Sequence, residues 1–313
     1  MIGIQSIASF VPGFKVDNLA RGSRYGRDED FIREKIGFVS LPRKEKEMET
    51  SDMCVAAFEA LCAKCKIDRQ TVDSILVCTQ NPDGFGLPHT ASIVHAKLNL
   101  PTTVAAFDVS LGCSGFVYCL NLLSNLMAGN GFRKALLFTA DPYSKVIDPL
   151  DYTTELLFGD AATCTLLSTE PIYVIGKTLF GTEGRRNKTI SVDANSRKIT
   201  MDGKDVFNFA LRIIPQHIIA CIKANDLSID AIDLFLLHQA SRYIVINLRK
   251  KLGLPEKKAP FLAAEFGNTV SSTIPLMLES CLDKKMKHIL LSGFGVGLSW
   301  ASTVIKRNKE TNK

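Results

Sequence analysis

Residues 71–80 read TVDSILVCTQ, and residues 231–239 read AIDLFLLHQ. Each opens polar, passes an Asp, runs through an unbroken apolar stretch and closes on polar residues. A stretch that is apolar at both parities has no solvent face. It predicts a strand inside a sheet covered on both sides. ALLFTA (135–140) and HILLSG (288–293) share this character. Helical periods fall between these runs, at 51–65, 89–98, 114–128, 206–224, 241–252 and 271–283. Strands alternating with helices define the α/β class.

The two quoted stretches also head similar series. Roughly 35 to 40 residues after the start of each, a Gly precedes a polar residue that opens a helix. These are Gly112-Cys113 and Gly267-Asn268. Further on come RKALLFTA and KHILLSGF, a basic residue leading into a buried strand. The repeated order predicts a duplicated unit, with halves 1–170 and 171–313 meeting at Glu170-Pro171. If a pseudo-twofold relates the halves, Cys113 and Asn268 are equivalent helix starts, and Cys78 and His238 equivalent strand ends. Cys113, His238 and Asn268 are then predicted to converge.

Their chemistry suits one another. A thiol attacks as thiolate, and a helix N-terminus favours that anion. Gly112 and Gly115 let the chain turn sharply beside it. His238 ends a buried strand, where α/β folds place their ligand sites. Its imidazole donates a hydrogen bond or exchanges a proton near neutral pH. Asn268, in FGNTVSS, carries an amide donor. Two donors on one oxygen stabilise an enolate or oxyanion. SGFGVGLSW (292–300) lacks the dinucleotide spacing and runs into a strand. It reads as a glycine turn whose backbone N–H completes an oxyanion hole with that of Cys113.

Composition sets bounds. Of 313 residues, 46 % are hydrophobic and 22 % charged, a globular balance. No apolar run approaches a membrane span, and the start shows no export signal. The expectation is a cytoplasmic protein with reduced thiols and no membrane association. Cys62 and Cys65 form a C-x-x-C inside a helical pattern, without His at ligand spacing, so no metal is expected. The net charge of +6 is spread along the chain, with no nucleic-acid motif.

Six segments together resemble the β-ketoacyl-acyl carrier protein synthase III family of thiolase-like condensing enzymes. FDVSLGCSGF is similar to its nucleophile motif, LLHQAS to its His motif and FGNTVSSTIP to its Asn motif. DYTTELLFGDAA, MDGKDVFNFA and GFGVGLSW also fit, in the same order. The resemblance implies a five-layer αβαβα homodimer with the catalytic triad Cys113, His238 and Asn268. It implies that Cys113 takes an acyl group from acyl-CoA, and that malonyl-acyl carrier protein then loses carbon dioxide and condenses with it. No cofactor is implied. The oxyanion N–H groups fall on Cys113 and Val296, where many relatives have Gly. Phe31, Leu87, Tyr152, Ser241 and Phe294 are implied substrate contacts.

At Phe31 and Tyr152 the family often has Trp and Arg around the CoA adenine, so two aromatics and no cation are expected. Relatives often have Asn at Ser241 and Arg at Tyr243. Leu87, with Phe85 as substitute, matches a residue that reaches across a dimer to the acyl pocket. Arg242, Arg249, Lys250 and Lys251 are the expected carrier-protein contacts. Rival readings are a non-decarboxylating acyltransferase of the same fold, a papain-type hydrolase and a non-catalytic dimer partner.

Overall fold

A computed structural model describes residues 1–282 and 284–308. In chain order its elements are β1 (Gly3–Phe10), β2 (Lys15–Asp17), α1 (Asn18–Arg24), a π-helical turn (Phe31–Ile36), β3 (Ser40–Pro42), α2 (Thr50–Lys64), β4 (Ser74–Cys78) and α3 (Thr90–Lys97). They continue through β5 (Ala105–Val109), α4 (Gly115–Asn130), β6 (Lys134–Ala140), α5 (Tyr152–Glu155), β7 (Ala162–Ser168) and β8 (Tyr173–Thr182). The rest are β9 (Ile190–Val192), β10 (Ile199–Met201), α6 (Gly203–Ala224), β11 (Leu234–Leu237), α7 (Arg242–Lys251), α8 (Thr273–Glu279), β12 (His288–Gly295) and β13 (Ser299–Arg307). The predicted strands and helices coincide with these elements, apart from their ends. Residue 283 of the predicted 271–283 helix, and 309–313 of the second half, lie outside the described residues.

The main sheet runs β11-β12-β13-β8-β1-β7-β6-β4-β5. Its two parts repeat one order. In the first, β4 and β6 are parallel, β6 and β7 antiparallel, and β7 and β1 antiparallel. In the second, β11 and β12 are parallel, β12 and β13 antiparallel, and β13 and β8 antiparallel. The parts join where Gly3 and Ile4 pair with Val174 and Tyr173.

The doubly apolar strands explain the layering. On β4 and β6, Leu76 and Leu137 face α4 and α8 in a central cluster. Their neighbours Ile75, Val77, Leu136 and Phe138 face the other way, onto α2 and α3. In the second part, Leu236 and Leu291 enter the central cluster, while Phe235, Leu237 and Leu290 pack under α6 and α7. Helix α4 touches strands of both parts. The layers are therefore helices, sheet, helices, sheet, helices, the thiolase-like αβαβα arrangement. Burying each such Leu or Phe stabilises the fold by roughly 1.5–3 kcal/mol. Helix α6 is, among the described residues, the one long and apolar enough to cross a membrane. Here Phe209, Ile214, Ile218 and Cys221 form its buried side, and it packs on β8, β12 and β13.

Candidate active site

Cys113 lies two residues before α4, with its carbonyl against Gly293 and its sulfur against Gly295. A Cβ on Gly295 would stand 2.9 Å from that sulfur, so only glycine lets β12 approach the thiol so closely. The parallel register pairs Leu237 with Ser292, and the His238 N–H donates to the Ser292 carbonyl at 2.9 Å. His238 therefore emerges beside the same end of β12. The sulfur and the imidazole come from different parts of the sheet and meet at one strand end.

Asn268 stands two residues before a 3-10 turn (Val270–Ser272) that runs into α8, the same offset that Cys113 has from α4. It also bridges to Phe158. Its N–H donates to the Leu157 carbonyl at 2.9 Å, and its carbonyl accepts the Gly159 N–H at 3.0 Å. Gly267 at φ 72 and Val270 at φ 54 bend the chain around it. Left-handed geometry strains a β-branched residue such as Val270. Its N–H is held at 2.9 Å by the Asn268 Oδ1. That bond spends the oxygen end of the amide and leaves Nδ2 as the donor.

All three side chains line one cavity of about 340 Å³. Phe31, Tyr152, Ser241, Tyr243, Phe294 and Val296 line it too. Burial, then the charge of Asp141, pushes the Cys113 thiol up to about 12, against the pull of the N–H groups of Val296 and of Cys113 itself. The thiolate favoured by the helix-start reading is thus not the resting form. Burial also holds His238 down to about 3. Neither of its ring nitrogens has a protein partner among the described residues, and Phe294 packs edge-on at 5.6 Å. The resting pair is a neutral thiol and a neutral imidazole. Asp141 itself is pushed up to about 6 by burial, against donors from Gln80 and Ser271.

The thiol pKa has a measurable consequence. Below it, the thiolate fraction grows tenfold per pH unit. Alkylation of Cys113 by iodoacetamide is expected to accelerate steadily from pH 6 to 10 without levelling. A plateau near pH 8 would contradict a thiol raised by burial.

Other expected contacts fall elsewhere. Leu87 stands 93 % exposed in the loop before α3, away from the cavity residues, and Phe85 is also exposed. Arg249 turns inward, its side chain 14 % exposed and paired with Glu256 at 3.4 Å. Arg242 pairs with Glu34, and Lys250 and Lys251 are exposed.

The expectation of two aromatics and no cation is corrected by Arg27. Its guanidinium carbon lies 4.2 Å from the Tyr152 ring centroid and 5.0 Å from that of Phe31. Position 27 lies outside every motif, and only the approach of α5 to the segment after α1 makes the contact. Lys35 and Lys204 also line the cavity, and Lys35 sits 4.3 Å over the Tyr243 ring.

A buried thiol, an imidazole and a carboxamide at the meeting of two repeated α/β parts define a thiolase-fold condensing enzyme. Two family models agree: residues 107–184 match 3-oxoacyl-[acyl-carrier-protein (ACP)] synthase III, and residues 222–307 match its C-terminal part. The β-ketoacyl-[acyl-carrier-protein] synthase III of Streptococcus equi subsp. zooepidemicus (strain MGCS10565) is 33 % identical, over 97 % of this chain and 98 % of the relative. A crystal structure of a 3-oxoacyl-(acyl-carrier-protein) synthase III superimposes with a TM-score of 0.92 at 33 % identity, covering 97 % of this chain and 99 % of the other. That of the Burkholderia xenovorans LB400 synthase gives 0.90 at 30 % identity, covering 98 % and 94 %. The chain belongs to the β-ketoacyl-acyl carrier protein synthase III family. It is an acyltransferase of the 3-oxoacyl-acyl carrier protein synthase III type.

Proposed function

We propose that Cys113, His238 and Asn268 divide a two-stage condensation between them. What carries this reading is that all three, from distant segments, line one cavity. In the first stage the Cys113 thiol gives up its proton as its sulfur attacks the carbonyl of an acyl-CoA. The N–H groups of Cys113 and Val296 hold the oxyanion, the carbon–sulfur bond to CoA breaks, and the CoA sulfur takes up a proton in place of the one Cys113 lost, leaving as the thiol. In the second stage malonyl-acyl carrier protein enters. His238 and the Nδ2 of Asn268 donate to its thioester oxygen while the carboxylate carbon–carbon bond breaks and carbon dioxide departs. The electron pair passes into the enolate, whose carbon attacks the acyl-Cys113 carbonyl. The bond between the acyl carbon and the Cys113 sulfur breaks, the 3-oxoacyl product forms, and the sulfur leaves as thiolate and takes up a proton from solvent to restore the thiol. A neutral imidazole serves as this donor. No cofactor takes part.

The two halves, 1–170 and 171–313, act as one catalytic unit within a cytoplasmic homodimer. Strand β5 supports the dimer. It closes the sheet on one side, its five residues are all half-buried, and an edge unpaired among the described residues suits the same edge of a second copy. In that arrangement the exposed Leu87 meets the partner, beside Phe85, whose ring centroid lies 4.6 Å from the Arg197 guanidinium carbon. Phe31, Tyr152, Ser241 and Phe294 contact the thioester substrates, and Arg242, Lys250 and Lys251 receive the acidic carrier protein. Arg249, tied to Glu256, is the weakest of the carrier contacts.

The whole reading is tested by incubating the protein with a panel of acyl-CoAs and then malonyl-acyl carrier protein. A 3-oxoacyl thioester with one carbon dioxide per turnover is expected. A simple ester or amide without carbon dioxide would replace this function with plain acyl transfer.

Arg27 gives a sharper test of the donor. A guanidinium against two aromatic faces contributes roughly 1 kcal/mol, and its charge also suits a phosphate-bearing donor. Arg27→Ala is expected to raise KM for acyl-CoA about 5-fold at nearly constant kcat, since the contact is remote from the reacting bonds. An unchanged KM in steady-state assays would place the CoA nucleotide away from these rings.

A further inference from the structure

We propose that Ser299 is a positioning residue, acting with Ser114 through a relay of two hydroxyls that fixes the Val296 peptide against the Cys113 sulfur. The inference rests on the reading of Cys113 as nucleophile and of the Cys113 and Val296 N–H groups as its oxyanion hole.

The turn between β12 and β13 holds one of those donors. It consists of Val296, Gly297 and Leu298, and β13 opens at Ser299. Ser299 reaches back across the turn, its hydroxyl donating to the Val296 carbonyl at 2.9 Å. A serine hydroxyl has one proton. Having given it to Val296, Ser299 accepts in its second contact, with the Ser114 hydroxyl at 2.7 Å. The order is therefore Ser114 to Ser299 to the Val296 carbonyl. Ser114 is the residue directly after Cys113 and is 1 % exposed, while Ser299 is 4 % exposed. Both hydroxyls are withdrawn from bulk solvent.

The two ends of this relay are the two sides of the oxyanion site. One end is the chain that carries the nucleophile, and the other is the residue whose N–H faces the sulfur. Gly297, at φ 134, lacks a side chain to brace the turn from the other side. Fixing the Val296 carbonyl restricts rotation about the Cα it shares with the N–H. The relay thus sets the donor direction from the nucleophile's own position, so that the two move together. An oxyanion donor is effective only when aimed before charge develops, and a small misplacement is costly.

The test uses Ser299→Ala, Ser114→Ala and the conservative Ser299→Thr in the full chain. Three quantities are read for each: condensation kinetics, the pH dependence of Cys113 alkylation by iodoacetamide, and Tm. Ser299→Ala is expected to lower kcat by about 10- to 100-fold with KM little changed. It is also expected to shift the rising alkylation profile to higher pH, read as a rate lowered by the same factor at each pH from 6 to 10, because the sulfur loses a donor. Ser114→Ala shifts both in the same direction but less, since the Ser299–Val296 bond survives. Ser299→Thr keeps the hydroxyl and restores both. A drop in Tm with parent-like kcat and alkylation would reduce the serines to packing and overturn the inference. So would a Thr variant as impaired as the Ala variant in both chemical readouts. Loading of acyl groups onto Cys113 at the parent rate in Ser299→Ala sinks the relay while leaving the nucleophile assignment standing. A parent protein that takes no acyl group on Cys113, yet shows the shifted alkylation profile in Ser299→Ala, sinks the nucleophile assignment and leaves the relay.

Discussion

Cys113→Ala is expected to take no acyl group from any acyl-CoA and to lower condensation by at least about 10³-fold. The covalent stage has no substitute path, because the other thiols are wrongly placed. Cys78 is the nearest in the pattern of the fold, but it is fully buried under the start of α4. A Cβ on Gly115 would come within 2.3 Å of its sulfur, so a substrate has no room there. Its hydrogen bond with Cys119 and its burial hold it well above the ordinary thiol range. Cys54, on the buried side of α2, and Cys164, on β7 beneath it, are raised by burial as well, deep in the outer cluster. Removing one sulfur from the end of a cavity costs little packing, so the variant is expected to keep its fold. Intact-mass measurement after incubation with acyl-CoA decides the matter. An added acyl mass that persists in Cys113→Ala would remove this residue from the chemistry.

His238→Ala and Asn268→Ala should separate the two stages. Each is expected to slow decarboxylation of malonyl-acyl carrier protein by about 10²–10³, the cost of one oxyanion donor. Acylation of Cys113 is expected to survive, since the oxyanion hole proposed for it is made of backbone N–H groups that neither change removes. With Cys113 raised to about 12 and His238 lowered to about 3, no resting thiolate–imidazolium pair exists to be lost. The pH dependence carries the same sign. A histidine that charges only near pH 3 stays neutral above about pH 4, so condensation should show no loss from its protonation between pH 5 and 8. Asn268→Ala also deprives the Val270 N–H of its acceptor at a left-handed residue, a structural cost of roughly 1 kcal/mol. Asn268→Asp keeps that acceptor and turns the donor into an anion facing the enolate. If the aspartate variant condensed at the parent rate, Asn268 would be a loop residue and nothing more. Rapid-quench measurement of acyl-enzyme formation beside carbon dioxide release reads both stages.

The sequence by itself determined the class of fold and singled out three side chains, Cys113, His238 and Asn268, that line one cavity. Doubly apolar runs such as SILVC and LFLL leave a strand only one place, between two covering layers, and hydrophobic burial dominates the energy. The glycines beside Cys113 and in SGFGVGLSW were legible because close backbone approach excludes a Cβ. Other features were settled only by the tertiary structure. The bridge that ties Asn268 to Phe158 is a contact across more than a hundred residues of chain. Arg27 meets Tyr152, Arg249 finds Glu256 and Ser114 meets Ser299 only once separate segments pack. The protonation of Cys113 and His238 belongs to the same group. A residue's type sets its ordinary pKa, but its shift comes from the burial and charges that surround it after folding.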